Sequence, residues 1–336
     1  MRIAVDAMGG DNAPEAIIEG VQQAVGEFKQ LHVTLVGNEK KIREYLSDEE
    51  RIDIIHTEEV IGGEEEPIRA IRRKKDSSLA LTAKEVKEKR ADACISAGNT
   101  GALVVAGLFI VGRMKGIERP ALSPTLPTID DKGFLLLDVG ANVDATANNL
   151  VQYAVMGSTY AEKVRGIDKP KIALLNVGTE DGKGSTLTKK AFQLLQEAPI
   201  NFIGNMEARD ILSGDADVVV TDGFSGNITL KTVEGTAMHV IDLLKEILSS
   251  SLKTKLAAGM IMKDLRGLKA KLDYTEFGGA ALFGLDAPVI KSHGSSNGKA
   301  IYSTIKQTIQ IIEQDVIGTI KESIDKLQLS EEDEHD

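Results

Sequence analysis

Short apolar runs alternate with helical patterns along almost the whole chain. The runs at 3–6, 32–36, 52–56, 92–95, 134–138, 171–177 and 217–221 have the length and apolar weight of buried strands. Between them, segments 14–28, 77–90, 148–164 and 187–197 repeat apolar residues with a helical period. This alternation predicts βαβ units and a doubly wound α/β/α architecture with a mostly parallel sheet and helices on both faces. At 336 residues, one large core or two interlocked lobes both satisfy the pattern. We take 1–329 as a single α/β domain.

The pattern breaks between about 225 and 273. Two helical stretches, 227–251 and 252–272, follow one another with no strand between them, which predicts a protruding helical arm over 228–272. The second stretch sets Lys253, Lys255, Lys263, Arg266 and Lys269 around Leu256, Met260, Ile261 and Leu265, a basic amphipathic helix. Dimerisation, docking of an acidic partner and contact with a membrane surface all suit such a helix. Segment 330–336 is acidic and is expected to be a disordered tail.

Ligands of such sheets bind beyond the carboxyl ends of the strands, and polar, glycine-rich stretches follow one strand after another. They are Asp6-Ala-Met-Gly-Gly-Asp11, Ser96-Ala-Gly-Asn-Thr-Gly-Ala102, Asp138-Val-Gly-Ala-Asn142, Asn176-Val-Gly-Thr-Glu180, Asp222-Gly-Phe-Ser-Gly-Asn227 and Ser292-His-Gly-Ser-Ser296. Where such a turn opens a helix, backbone N–H groups and the positive end of the helix dipole attract an anion. In the second of these stretches Asn99 and Thr100 are expected to add side-chain donors, and Gly101 to allow close approach of a ligand. Ser77 and Ser78, after the basic run Arg72-Arg-Lys-Lys75, repeat the theme. So do Ser225, Gly226 and Asn227, and Ser295 and Ser296.

Composition narrows the class. The formal charge of −11 at pH 7 argues against general nucleic-acid binding. A single cysteine, Cys94, cannot form an intrachain disulfide and suits a reducing compartment. The chain opens directly on a strand without a signal-peptide pattern, and its most apolar helix, 102–111, is far short of the roughly 20 residues of a bilayer span. A cytoplasmic protein is expected.

Several local motifs fail on their partners. Gly178-Thr-Glu-Asp-Gly-Lys-Gly-Ser185 is one residue too short for a phosphate-binding P-loop, and no dinucleotide fingerprint follows the first strand. Gly294-Ser-Ser-Asn-Gly298 fits a nucleophile elbow, yet only His335 follows it. Cys94 lies within a strand, where a buried structural thiol is expected. The other histidines have no metal-ligand spacing.

What survives is a set of anion-binding features without an evident protein nucleophile, so phosphate itself is a candidate nucleophile. Near neutral pH it is largely a dianion and needs positioning more than deprotonation. A carbonyl electrophile would also need donors to its developing oxyanion, and helix-start N–H groups, Asn side chains and Lys183 are candidates to serve both it and the phosphate. Asp222 and His293 are candidate proton donors to the leaving group.

In order and over nearly the whole chain, these stretches, with Arg72–Ser78, Glu276-Phe-Gly-Gly279 and His293-Gly-Ser-Ser296, resemble the bacterial phosphate acyltransferase family of phospholipid synthesis, the PlsX proteins. Two positions depart from the family pattern: Ala208 stands where glycine is expected, and Ala281 where proline is common. The resemblance implies transfer of a long fatty acyl group from acyl carrier protein to inorganic phosphate, giving an acyl phosphate that a membrane acyltransferase passes to glycerol 3-phosphate. It also implies a fold like the isocitrate and isopropylmalate dehydrogenases and phosphotransacetylase, a homodimer, and no metal or redox cofactor. The acidic carrier makes 69–75 and 253–271 candidate docking faces, the second also a candidate contact with anionic lipid at the inner membrane surface. Two other readings are a phosphotransacetylase-like enzyme using acyl-coenzyme A and a non-catalytic carrier-binding scaffold.

Overall fold

A computed structural model describes residues 1–263, 265, 267 and 278–333, the last six by backbone alone. Two sheets organise it. The first has the order β3 (Ile52–His56), β2 (His32–Gly37), β1 (Arg2–Asp6), β4 (Ala93–Ser96), β12 (Val289–Lys291), β11 (Ala280–Phe283) and β5 (Ala121–Ser123). Its first five strands are parallel, and β11 runs antiparallel to both its neighbours. The second has the order β6 (Thr125–Leu126), β7 (Phe134–Leu137), β10 (Val218–Val220), β8 (Ile172–Asn176) and β9 (Phe202–Glu207), parallel except for β6. The α/β, mostly parallel character is as expected, but the strands divide between two sheets. The chain crosses from one to the other at Pro124, between β5 and β6.

The strands are apolar because both of their faces are covered. Ile3 and Val5 enter one core while Ala4 enters a second, the two-residue period of a strand. In β7, Leu135 and Leu137 enter the first and Phe134 and Leu136 the second. Each core therefore takes side chains from both sheets. Around the first pack α1 (Glu15–Glu27), α6 (Ala147–Lys163), α7 (Thr186–Glu197) and the carboxyl-terminal helices α10 (Gly298–Glu313) and α11 (Val316–Asp333). Around the second pack α3 (Pro67–Arg73), α4 (Ser78–Lys87) and α5 (Thr100–Ala106).

Three sequence expectations change. The apolar stretch 102–111 is an α-helix only to Ala106 and continues as a π-helical turn, Gly107–Val111, where Leu282 and Leu285 pack so close to Gly107 that a Cβ there would collide with them. The acidic tail expected to be disordered from 330 is helical to Asp333, as the end of α11. The first helix of the 227–272 region begins earlier than expected, because α8 (Gly223–Ser249) is capped by Asp222, whose carboxylate accepts the Ser225 N–H at 2.8 Å.

At 27 residues α8 is about 40 Å long, yet Gly223, Gly226 and Leu230 are its only buried residues, so most of its length stands off the body. It folds back into α9 (Leu252–Met260), capped by Ser251. Among the described residues no helix is long and apolar enough to cross a membrane.

Candidate active site

A cleft of about 200 Å³ lies where the two sheets meet. Thr100 comes from the start of α5, Leu122, Pro124 and Thr125 from the crossover, and Val139 from the turn after β7. Asn227, Leu230, Lys231 and Glu234 descend from α8, while Lys291 ends β12 and His293 and Ser296 follow it. Gly278, Gly279 and Ala280 complete the wall. The lining is amphipathic: Leu122, Pro124, Val139, Leu230 and Ala280 are apolar, while Thr100, Asn227, Ser296, His293 and two lysines are polar.

Of the residues expected from the sequence, Thr100, Asn227, His293 and Ser296 reach this cleft. Nδ1 of His293 accepts the Ser295 N–H at 3.2 Å and contacts the Ser295 hydroxyl at 2.8 Å, which puts the proton of a neutral ring on Nε2. Burial holds its pKa below the ordinary imidazole value; the charge of Glu234 opposes this, and Lys291 and Lys231 reinforce it. The Ser296 hydroxyl is buried against that of Ser292 at 2.9 Å, so it is no exposed nucleophile on an elbow. Asp222 and Ser225 form the cap of α8. A Cβ at Gly226 would overlap the Asp138 carbonyl oxygen, so this glycine serves close packing of α8 on the body.

Other expected donors are spent inside the protein. Asn99 caps α5 by accepting the Ala102 N–H at 2.9 Å, and its amide donates to the carbonyls of Gly62, Gly63 and Glu65 at 3.0–3.1 Å. That leaves it nothing for a phosphate, and it pins the 62–65 turn instead. Gly101 makes room for the Pro67 ring. Ser77 caps α4 and donates to the Lys74 carbonyl at 2.8 Å. Ser78 is buried close to the Asp6 carboxylate, whose pKa its hydroxyl helps to lower.

Lys183 is exposed in the turn after β8, 3.7 Å from Glu180, and does not line the cleft. Lys253, Lys255, Leu256, Met260 and Lys263 are exposed on the arm. Arg266 and Lys269 lie outside the described residues, as do Glu276 and Phe277. Cys94 is buried within β4, and burial pushes its thiol up to about 12, with the Asp6 charge adding to the effect.

Sequence reasoning missed three charged lining residues. Lys231 and Glu234 pair at 2.7 Å, three residues apart on α8. Lys291 is buried at the end of β12, and its Nζ donates to the Ala97 carbonyl at 3.1 Å and to the Ser292 carbonyl. Its signal was present: a lysine directly before Ser292-His-Gly, after two apolar strand residues, falls where a strand opens into the rim.

Below the rim two carboxylates organise the loops. Asp6 is buried, accepting the Ser96 hydroxyl at 2.7 Å and the Met8 N–H at 3.1 Å. Burial raises its pKa against the lowering effect of these donors. Asp138 accepts the N–H groups of Leu122, Ala141 and Asn142 at 2.6–3.0 Å, fastening the crossover of the first sheet to the second. Burial raises its pKa as well. Among the described residues no three His, Cys, Asp or Glu side chains gather as a metal cluster.

The comparisons bear on this geometry. Residues 1–319 match the fatty acid synthesis protein family. A phosphate acyltransferase of Oceanobacillus iheyensis is 63% identical over 333 residues, covering 99% of this chain and all of that one. One from Bacillus cereus strain G9842 is 61% identical over 326 residues, covering 97% and 99%. Among solved structures, a phosphotransacetylase from Streptococcus pyogenes superposes with a TM-score of 0.65 at 19% identity, over 93% of this chain and 94% of that one. A branched-chain phosphotransacylase from Enterococcus faecalis V583 does so at 0.58 and 16%, over 92% and 98%. At those identities the likeness speaks for the fold alone. The family match and the identities over nearly the full length carry the assignment: the chain belongs to the fatty acid synthesis protein family and is an acyltransferase.

Proposed function

We propose that this enzyme transfers a long-chain fatty acyl group from acyl carrier protein to inorganic phosphate within the cleft between its two sheets. The observation that carries the reading is the mixed lining of that cleft. A buried lysine, His293, Thr100 and Asn227 suit an anion, while Leu122, Val139 and Leu230 suit the first methylenes of an acyl chain. Membership of a fatty acid synthesis family and relatives named for phosphate acyl transfer agree with acyl transfer to phosphate. The scaffold reading gives way to an enzyme.

In the proposed reaction a phosphate oxygen attacks the thioester carbonyl, and the carbonyl electrons move to oxygen. Collapse of the tetrahedral intermediate breaks the C–S bond and releases the carrier thiolate, which takes up the proton that the hydrogen phosphate gives up on becoming the acyl phosphate. Thr100, Asn227 and the Nε2 proton of His293 are the donors for the anionic oxygens. No protein nucleophile is required, in keeping with an inert Cys94 and a buried Ser296.

The arm completes the proposal. Its exposed Leu243, Ile247, Leu252, Leu256 and Met260 suit burial against a second copy of the chain, giving a homodimer. Lys253, Lys255 and Lys263 are a docking face for the acidic carrier or for anionic lipid, which would hold the cytoplasmic enzyme near a membrane glycerol-3-phosphate acyltransferase that consumes the acyl phosphate.

The test is formation of acyl hydroxamate when the protein is incubated with palmitoyl carrier protein or palmitoyl-coenzyme A, with and without phosphate, and trapped with hydroxylamine. Phosphate-dependent product from the carrier thioester is expected. Product only from the coenzyme A thioester would reassign the donor, and none from either would reject the reading.

A further inference from the structure

Lys291 is a buried charged residue of the cleft lining. An ammonium taken out of water is unfavourable unless it is paired or hydrogen-bonded, and Lys291 is buried. Two of its three N–H groups go to carbonyls at the ends of neighbouring strands, Ala97 after β4 and Ser292 after β12. Among the described residues the third has no hydrogen-bonding partner, and the side chain borders the cleft. The two carbonyls belong to the loops that also bring Thr100 and His293 to the cleft, so one ammonium ties both rim loops together.

We propose that Lys291 is the phosphate-binding cation of this site, its remaining N–H donating to an oxygen of the anion while the other two hold the rim loops in register. The proposal rests on the acyl-to-phosphate reading given above and adds to it the residue that carries the opposing charge. It replaces Lys183, which does not line the cleft.

The surrounding charges fit this role. Asp6 on β1 and Asp11 in the loop after it stabilise the ammonium, whereas Lys231 on α8 opposes it. Glu234, also on α8, faces His293, whose lowered pKa leaves it neutral in mildly alkaline solution. Burial outweighs the carboxylates and brings the Lys291 pKa down to about 8. The sign follows. Phosphate binds the protonated site, so its affinity is full below about pH 8 and falls as the pH rises through that value, up to about tenfold per pH unit for one linked proton.

The decisive measurement is the phosphate KM of hydroxamate formation between pH 7 and pH 9.5 for the wild type, Lys291→Met and Lys291→Arg, with inorganic phosphate binding followed separately by calorimetry. For the wild type, the phosphate KM should climb above about pH 8 while the KM for the acyl donor stays level. Lys291→Met should raise the phosphate KM at least tenfold at pH 7 and abolish its pH dependence. Lys291→Arg, which keeps its charge, should retain phosphate binding at pH 9.5. A wild-type phosphate KM that is flat over this range would overturn the proposal even if neither variant folded. So would a folded Lys291→Met that binds phosphate as the wild type does. Absence of phosphate-dependent product from the wild type would instead remove the underlying reading, while calorimetry would still decide whether Lys291 binds the anion.

Discussion

Residues with the same polar chemistry take different roles here according to what their atoms already touch. Asn99 has the side chain of an anion ligand, but its acceptor caps a helix and its donors hold three carbonyls of the 62–65 turn. Asn99→Ala should therefore lower stability by about 2 kcal/mol, read from a denaturant titration, through a lost cap and carbonyls left unpaired. Any rise in phosphate KM would follow the disturbed turn rather than a lost ligand contact. Cys94 is the reverse case of a reactive group made inert. With its thiol at about 12 inside β4, it should resist iodoacetamide at pH 8 and become labelled only at the denaturant concentration that unfolds the chain.

At the scale of elements, α8 joins the cleft to the arm. Its first turns are held by packing so close that a side chain at position 226 has no room, and Gly226→Ala should cost more than about 3 kcal/mol or prevent folding. Leu230, Lys231 and Glu234 on the next turns line the cleft. Beyond them the helix leaves the body, and Leu243 and Ile247 are 59% and 61% exposed, more apolar surface than a helix retains without a partner. Glutamate at both positions should convert a dimer into a monomer in sedimentation equilibrium. An unchanged dimer would take the interface away from this face.

Across the whole molecule the net charge sets the terms of docking. A chain at −11 repels an acidic partner at long range, so the proposed docking of acyl carrier protein depends on local basic patches such as the arm lysines. If those patches dominate, kcat/KM for the carrier thioester should fall about tenfold between low and moderately high salt, as screening weakens a local attraction. A rise with salt would mean that global repulsion governs the encounter and that docking lies elsewhere. The same scale explains the site. Neither sheet contains it, because the crossover at Pro124 brings the strand ends of one sheet against the α8 start of the other.

The apolar and polar periods of the chain were enough for the α/β class and the rim of loops after the strands, because those follow from local burial and turn chemistry. The order of the loop motifs was enough for the family. Local pattern could not divide the strands between two sheets, since pairing partners lie far apart in sequence; β4 and β12 are joined across nearly two hundred residues. Nor could it separate Asn99 from Asn227, or Lys183 from Lys291. Each pair shares a side chain and a place at or beyond the end of a strand, and differs in whether tertiary packing consumes its hydrogen bonds, leaves it in solvent or turns it into the cleft. The sequence therefore supplied many of the candidates, but not Lys231, Glu234 or Lys291. Which of them meet was decided by long-range strand pairing and by the burial it imposes.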